Sequence, residues 1–195
     1  MHSHAMNVLK VSAAVLLCLG LQACKTAPLT PSQKEEHRAA ERTIARQTLE
    51  QLYSAHPGAR QGVAKAAGYA VFSDIGFHIV YGGSEHGSGI AINNATKRET
   101  FMKMFEIEPG LGIGVAKFRL VLVFETADAY NKFVTSGWEA GAHVLAAAKG
   151  KASGGAYAGA VTLSSGVHMY QLTEKGLIAG ISLTGGKFYV DKELN

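Results

Sequence analysis

This chain of 195 residues is short of cysteine, proline, tryptophan and charge. It has 2 Cys, 4 Pro and 1 Trp, and 17% of its residues are Asp, Glu, Lys or Arg. Two cysteines, Cys18 and Cys24, exclude a disulfide-stapled miniprotein. The glycines keep no three-residue period, which excludes a collagen-like chain. Little charge together with 47% hydrophobic residues excludes intrinsic disorder. The same fraction is enough for one domain with a real core. The formal net charge is only +4 and shows no concentrated basic run, so nucleic acid is not an expected partner.

Long apolar runs are missing too. Val11–Leu21 is apolar over eleven residues, where a bilayer-spanning helix needs about 20. Lys10 precedes it, so residues 1–23 read as a secretory signal and not as a permanent span. The run ends in Leu21-Gln22-Ala23-Cys24. This resembles a bacterial lipobox, which implies acylation of the Cys24 thiol and cleavage before it. Two or three acyl chains would hold the protein stably on a membrane, since each buried methylene contributes about 0.8 kcal/mol. Lys25 follows, and by resemblance to Gram-negative lipoproteins it implies the outer membrane, facing the periplasm. Met1 and Met6 both remain candidate starts.

Residues 24–31 read as a tether with two prolines, lipidated at Cys24 as the lipobox resemblance implies. Residues 32–195 are expected to form one domain, helical over 32–67 and β-rich over 69–195. Ser32-Gln33-Lys34-Glu35 has the spacing of a capping box, and Pro31 suits a first helical turn. Ala39, Ala40, Ile44, Ala45, Leu49, Leu52 and Tyr53 make an apolar stripe through Ala55, and Pro57-Gly58 ends it. Residues 59–67 predict a second short helix. From Tyr69 onward the pattern predicts strands: 69–73, 77–81, 89–93, 100–107, 111–117, 120–124, 141–147, 156–163, 167–172, 177–183 and 187–190. Residues 93–97 read as a turn, and Ala127–Ser136 as a helix capped by Thr126. Most connections are too short for parallel crossovers. The expected class is therefore α+β, a curved, mostly antiparallel sheet or barrel packed with a few helices. The 23 glycines agree, and residues 137–160, with 6 Gly and 9 Ala, suit the narrow inside of a curved sheet.

Three segments together resemble the SYLF-domain family, which includes yeast actin-patch proteins and phosphoinositide-binding adaptors. The first is Lys65-Ala-Ala-Gly-Tyr-Ala-Val-Phe72, followed by Gly82-Gly83 and Gly87-Ser-Gly-Ile-Ala91. The second is Pro109-Gly-Leu-Gly-Ile-Gly114, leading into Leu120–Phe124 and Ala127–Phe133. The third is Lys175-Gly-Leu-Ile-Ala-Gly-Ile-Ser-Leu183. The resemblance covers residues 60–195. It implies binding of membranes that carry anionic phospholipid, with no catalytic residues. The lipobox and tether stand where eukaryotic members have a membrane-active helix, so the transferable part is affinity for anionic lipid and not a particular headgroup.

Chemistry-bearing motifs are sparse. Gly110-Leu-Gly-Ile-Gly114 lacks the spacing of a dinucleotide loop, and a strand follows it. None of the eight His stands at metal-ligand spacing, Glu85-His86 on a Gly-rich turn coming nearest. No Gly-x-Ser-x-Gly occurs. The expectation is no enzyme, no cofactor and no metal. Trp138 is expected to serve the core. The candidate headgroup contacts are Arg38, Arg42 and Arg46, at i, i+4 and i+8 on the first helix, with Lys97, Arg98, Lys117, Arg119, Lys149 and Lys151. Near an anionic surface each adds roughly 1 kcal/mol. The expected function is an outer-membrane lipoprotein whose domain binds anionic phospholipid. The alternative is an envelope scaffold that docks a protein partner. An envelope hydrolase stands third and requires two carboxylates in a pocket, or Ser beside His.

Overall fold

The structure is a computed structural model that describes residues 28–79, 82–108, 114–140, 154–173, 176–177 and 186–195. Cys24, Lys149, Lys151, the segment 141–147, the loop 110–113 and most of 177–183 lie outside the described residues. Residues 31–195 form one compact unit. Its elements run α1 (Pro31–Ala55), α2 (Pro57–Lys65), β1 (Gly68–Ile79), β2 (Gly82–Asn93), β3 (Glu99–Glu108), β4 (Gly114–Phe124), α3 (Ala127–Ser136), β5 (Trp138–Ala140), a 3-10 turn (Gly155–Tyr157), β6 (Val161–Ser164), β7 (Val167–Thr173), β8 (Gly176–Leu177) and β9 (Gly186–Val190).

The described strands make one antiparallel sheet in the order β5-β9-β3-β2-β1-β4-β7-β6, with β8 paired to β7. The expected α+β class holds. Two breaks read in the sequence are absent. Ser73-Asp74 does not end a strand, because β1 stays paired with β2 and β4 throughout, with Ser73 opposite Ser88 and Arg119. Lys117 and Arg119 flank no junction either. Charged residues that alternate with apolar ones simply stand on the opposite face of one strand. Conversely, the strand read over 156–163 begins only at Val161. Gly155 and Gly159 adopt φ +61° and +86°, which breaks the extended chain before it.

Strand alternation divides the side chains between two faces. Phe72, Met102, Leu120, Leu122, Phe124, Met169 and Phe188 enter one buried cluster together with Tyr130 and Phe133 of the covering helix α3. Its rings meet edge-on and tilted, with centroids 4.9 Å apart for Phe72 and Phe188 and 4.8 Å for Phe124 and Phe133. Trp138 stacks on Phe188 at 5.7 Å, so it serves the core as expected. Gly137 (φ +70°) makes this possible, since a Cβ there would collide with the Phe188 carbonyl oxygen. Helix α3 has the predicted bounds, and the Thr126 hydroxyl accepts from the Ala129 N–H at 3.2 Å.

The opposite face lies beneath α1 and α2. Helix α1 already includes Pro31 and Ser32, so Ser32 is a first-turn residue and not the cap. Its buried line is Glu41, Ala45, Thr48 and Leu52. Ala39 and Ala40 of the expected stripe are exposed. Two polar residues can occupy the buried line because each finds a partner: the Ser88 hydroxyl donates to Glu41 Oε1 at 2.5 Å, and the Thr48 hydroxyl donates to the Ile44 carbonyl at 2.7 Å. No helix among the described residues is long and apolar enough to cross a membrane.

Candidate functional site

Where α1 and α2 meet the sheet they leave a groove of about 420 Å³. Arg42, Arg46 and Tyr53 come from α1, Arg60 from α2, and Tyr69 and Glu99 from the strands. Helical spacing puts Arg42 and Arg46 one turn apart on one side of α1. Arg60 joins them because the chain reverses at Pro57-Gly58, and its guanidinium stacks 4.4 Å from the centre of the Tyr53 ring. Burial pushes the Tyr53 hydroxyl up to about 12. Tyr69 is raised as well, by burial first and then by the nearby Glu99 carboxylate. Both phenols are therefore neutral hydrogen-bonding groups at physiological pH.

The arginines differ in how far they are engaged. Arg42 donates through Nε to Glu99 at 2.9 Å and through Nη1 to Glu35 at 2.8 Å. Those two hydrogen bonds, the Glu35 one first, raise its pKa, and the Arg42 bond is the main cause of the lowered pKa of Glu35. Arg46 makes a 3.2 Å pair with Glu50, with both side chains more than 60% exposed, so the pair is loose. The lining holds three arginines against Glu50 and Glu99, and Glu35 on Arg42 offsets the third, so the charge open to a ligand is that of the exposed Arg46 and Arg60.

Of the other residues expected from the sequence, Arg38 is turned away from the groove. Its Nε donates to the Leu194 carbonyl at 2.7 Å, and its guanidinium lies 5.9 Å from the Phe101 ring centre. Eight residues on a helix advance the azimuth by about 80°, so i and i+8 do not stay in line. Lys97 and Arg98 are exposed in the β2–β3 turn, where Lys97 has φ +58°. Arg119 is half-buried on β4, and Lys117 lies on the same strand with its side chain outside the described ones. Arg38, Lys97, Arg98 and Arg119 do not line the groove. Sequence reasoning missed Arg60, Tyr53 and Tyr69, which come from three separate elements. The one available signal was the aromatic Tyr53, one turn after Leu49 and two turns after Arg46.

A second polar cluster also escaped it. His168 Nε2 lies 3.1 Å from Glu125 Oε1, its Nδ1 lies 3.3 Å from the Thr162 hydroxyl, and Tyr157 stacks on the ring at 4.1 Å. His168 is 8% exposed and covered by that tyrosine, an arrangement that fastens β6, β7 and the chain after β4. The described residues hold no group of three or more metal-ligating side chains.

The family model described as Las17-binding protein actin regulator (Ysc84) matches residues 105–195. The chain is 36% identical over 166 residues to Beta cell expansion factor A of Aeromonas veronii. That alignment takes in 85% of this chain and 62% of the relative, so the chain spans less than two thirds of that protein's length. Both matches run through segments that carried the resemblance in the sequence, and they support assignment to the Ysc84, or SYLF-domain, family, with residues 105–195 matched to its model.

Proposed function

We propose that this protein is a lipoprotein of a bacterial outer membrane, anchored through acyl chains on Cys24 and facing the periplasm, whose domain binds anionic phospholipid without catalysing a reaction. The observation that carries the reading is the groove. Arg42, Arg46 and Arg60 converge there beside two neutral phenols, the donor set a phosphate ester requires. Arg42 is held in place by Glu35 and Glu99 and supplies rigidity, while Arg46 and Arg60 supply the accessible charge. Each contributes roughly 1 kcal/mol near an anionic surface, less at high salt. The acyl anchor keeps the groove near the bilayer, so modest headgroup affinity suffices.

A second reading is a protein-docking scaffold, favoured by the family description, which names binding of Las17 and regulation of actin. Flotation of the unacylated Cys24→Ser chain separates the two. Under the lipid reading, the chain floats with vesicles containing phosphatidylglycerol and stays at the bottom with phosphatidylcholine alone. Equal recovery on both vesicles overturns the headgroup role, and one dominant crosslinked protein neighbour in cells then supports the scaffold. The anchor is tested separately by intact mass of the protein from its native host.

A further inference from the structure

On the other face of the sheet, α3 and the β6–β7 turn enclose a second cavity of about 160 Å³. Phe124, Phe133, Trp138 and Val167 form its walls, with Ala129 one turn before Phe133 on α3. Its polar lining residues are Lys132, Ser164 and Ser165, all exposed, so they stand at the mouth. Among the described residues no carboxylate lines it. A cavity of ~150 Å³ with apolar walls is large enough to hold a benzene ring. The walls are held open by fixed parts. Phe124 and Phe133 are 2% and 3% exposed within the aromatic cluster, Trp138 is stacked on Phe188, and Gly137 and Gly166 set the bordering turns at φ +70° and +72°.

We infer that this cavity is a binding site for a small anionic amphiphile, a carboxylate carried on a ring-sized apolar body. The ring would displace water from the aromatic walls. The carboxylate would remain at the mouth, where Lys132 supplies the opposite charge and two serine hydroxyls supply hydrogen bonds. An apolar body alone would gain only the first of these, and a carboxylate alone only the second. The site is independent of the arginine groove, which lies on the opposite face.

Trp138 is the chain's one tryptophan, so its emission reports directly on this wall. The full chain is titrated at low ionic strength with 3-phenylpropionate, with its neutral counterpart 3-phenylpropanol, and with acetate. The expected result is a saturable emission change with both phenyl compounds and none with acetate. The carboxylate should bind about fivefold more tightly than the alcohol, the upper range for one partly exposed charge pair. Lys132→Met, at an exposed position, should abolish that preference and keep the response to the alcohol. Ala129→Phe should fill the cavity and abolish both responses. A non-saturable response, equal affinity for acid and alcohol, or an acid preference that survives Lys132→Met would each overturn the inference. So would an unchanged response in a folded Ala129→Phe chain.

Discussion

Along β4 the even-numbered Leu120, Leu122 and Phe124 enter the aromatic cluster, while the odd-numbered Arg119, Val121 and Val123 take the face covered by α1 and α2. The same alternation on β3 sends Met102 and Met104 one way and Phe101 and Lys103 the other. Among the described side chains the first face is almost wholly apolar, Gln171 being the buried polar residue on it. The second holds buried Glu41, Thr48, His168 and Asp191 and carries the arginine groove at its margin. One face thus supplies cohesion that does not depend on pH or salt. The other accepts the cost of burying polar groups, most of them matched by a partner, although the Tyr170 hydroxyl finds none among the described residues, and places charge where a ligand can reach it.

The sharpest way to break this division is Phe188→Ala. Phe188 touches Phe72, Phe133 and Trp138, and its loss should lower stability by about 3–5 kcal/mol in a denaturant titration. A loss below about 1 kcal/mol would show that the aromatic face does not hold the fold. Gly89→Ala probes the same face without removing a contact. A Cβ there meets the Val71 carbonyl and the Phe72 ring, and the overpacking should cost about 1–3 kcal/mol.

On the polar face the expected effect is smaller and depends on pH. Burial raises the Glu41 pKa, with the Ser88 hydrogen bond working against the shift. The folded chain therefore holds this proton more tightly than the unfolded chain. Glu41 supports the fold at low pH, and that support is lost as pH rises through its elevated pKa. Glu41→Gln keeps an acceptor for Ser88 and cannot ionise, so the variant should gain on the parent as pH rises from about 4, the usual carboxylate range. A difference between the two that does not vary with pH would contradict this account of the site.

Local chemistry was the legible part of the chain. Helix α3 was readable because its cap, its apolar side and its terminating glycine all lie within twelve residues. The turn at 93–97 was readable because Asn93 Oδ1 accepts from the Ala95 and Thr96 amides at 3.0 and 2.9 Å. Strand lengths were less legible. A polar residue inside a strand signals a turn only if both faces are buried in apolar surroundings, and here one face admits Ser73 and Arg119. The groove was half legible. Arg42 and Arg46 follow from helical spacing alone, whereas Arg60 and Tyr69 reach it only through the packing of α2 and β1 against α1. The Glu125–His168–Thr162 cluster joins residues up to 43 positions apart, and no periodicity announces such a meeting.

The most direct test is charge reversal at the two accessible arginines, Arg46→Glu with Arg60→Glu, in the Cys24→Ser chain. Flotation with phosphatidylglycerol vesicles and thermal unfolding are measured side by side. The account predicts that vesicle recovery drops to the level seen with neutral lipid while the melting temperature stays within a few degrees of the parent, since exposed charge pairs contribute about 0–1 kcal/mol to stability. Undiminished recovery of the reversed chain on anionic vesicles would contradict it.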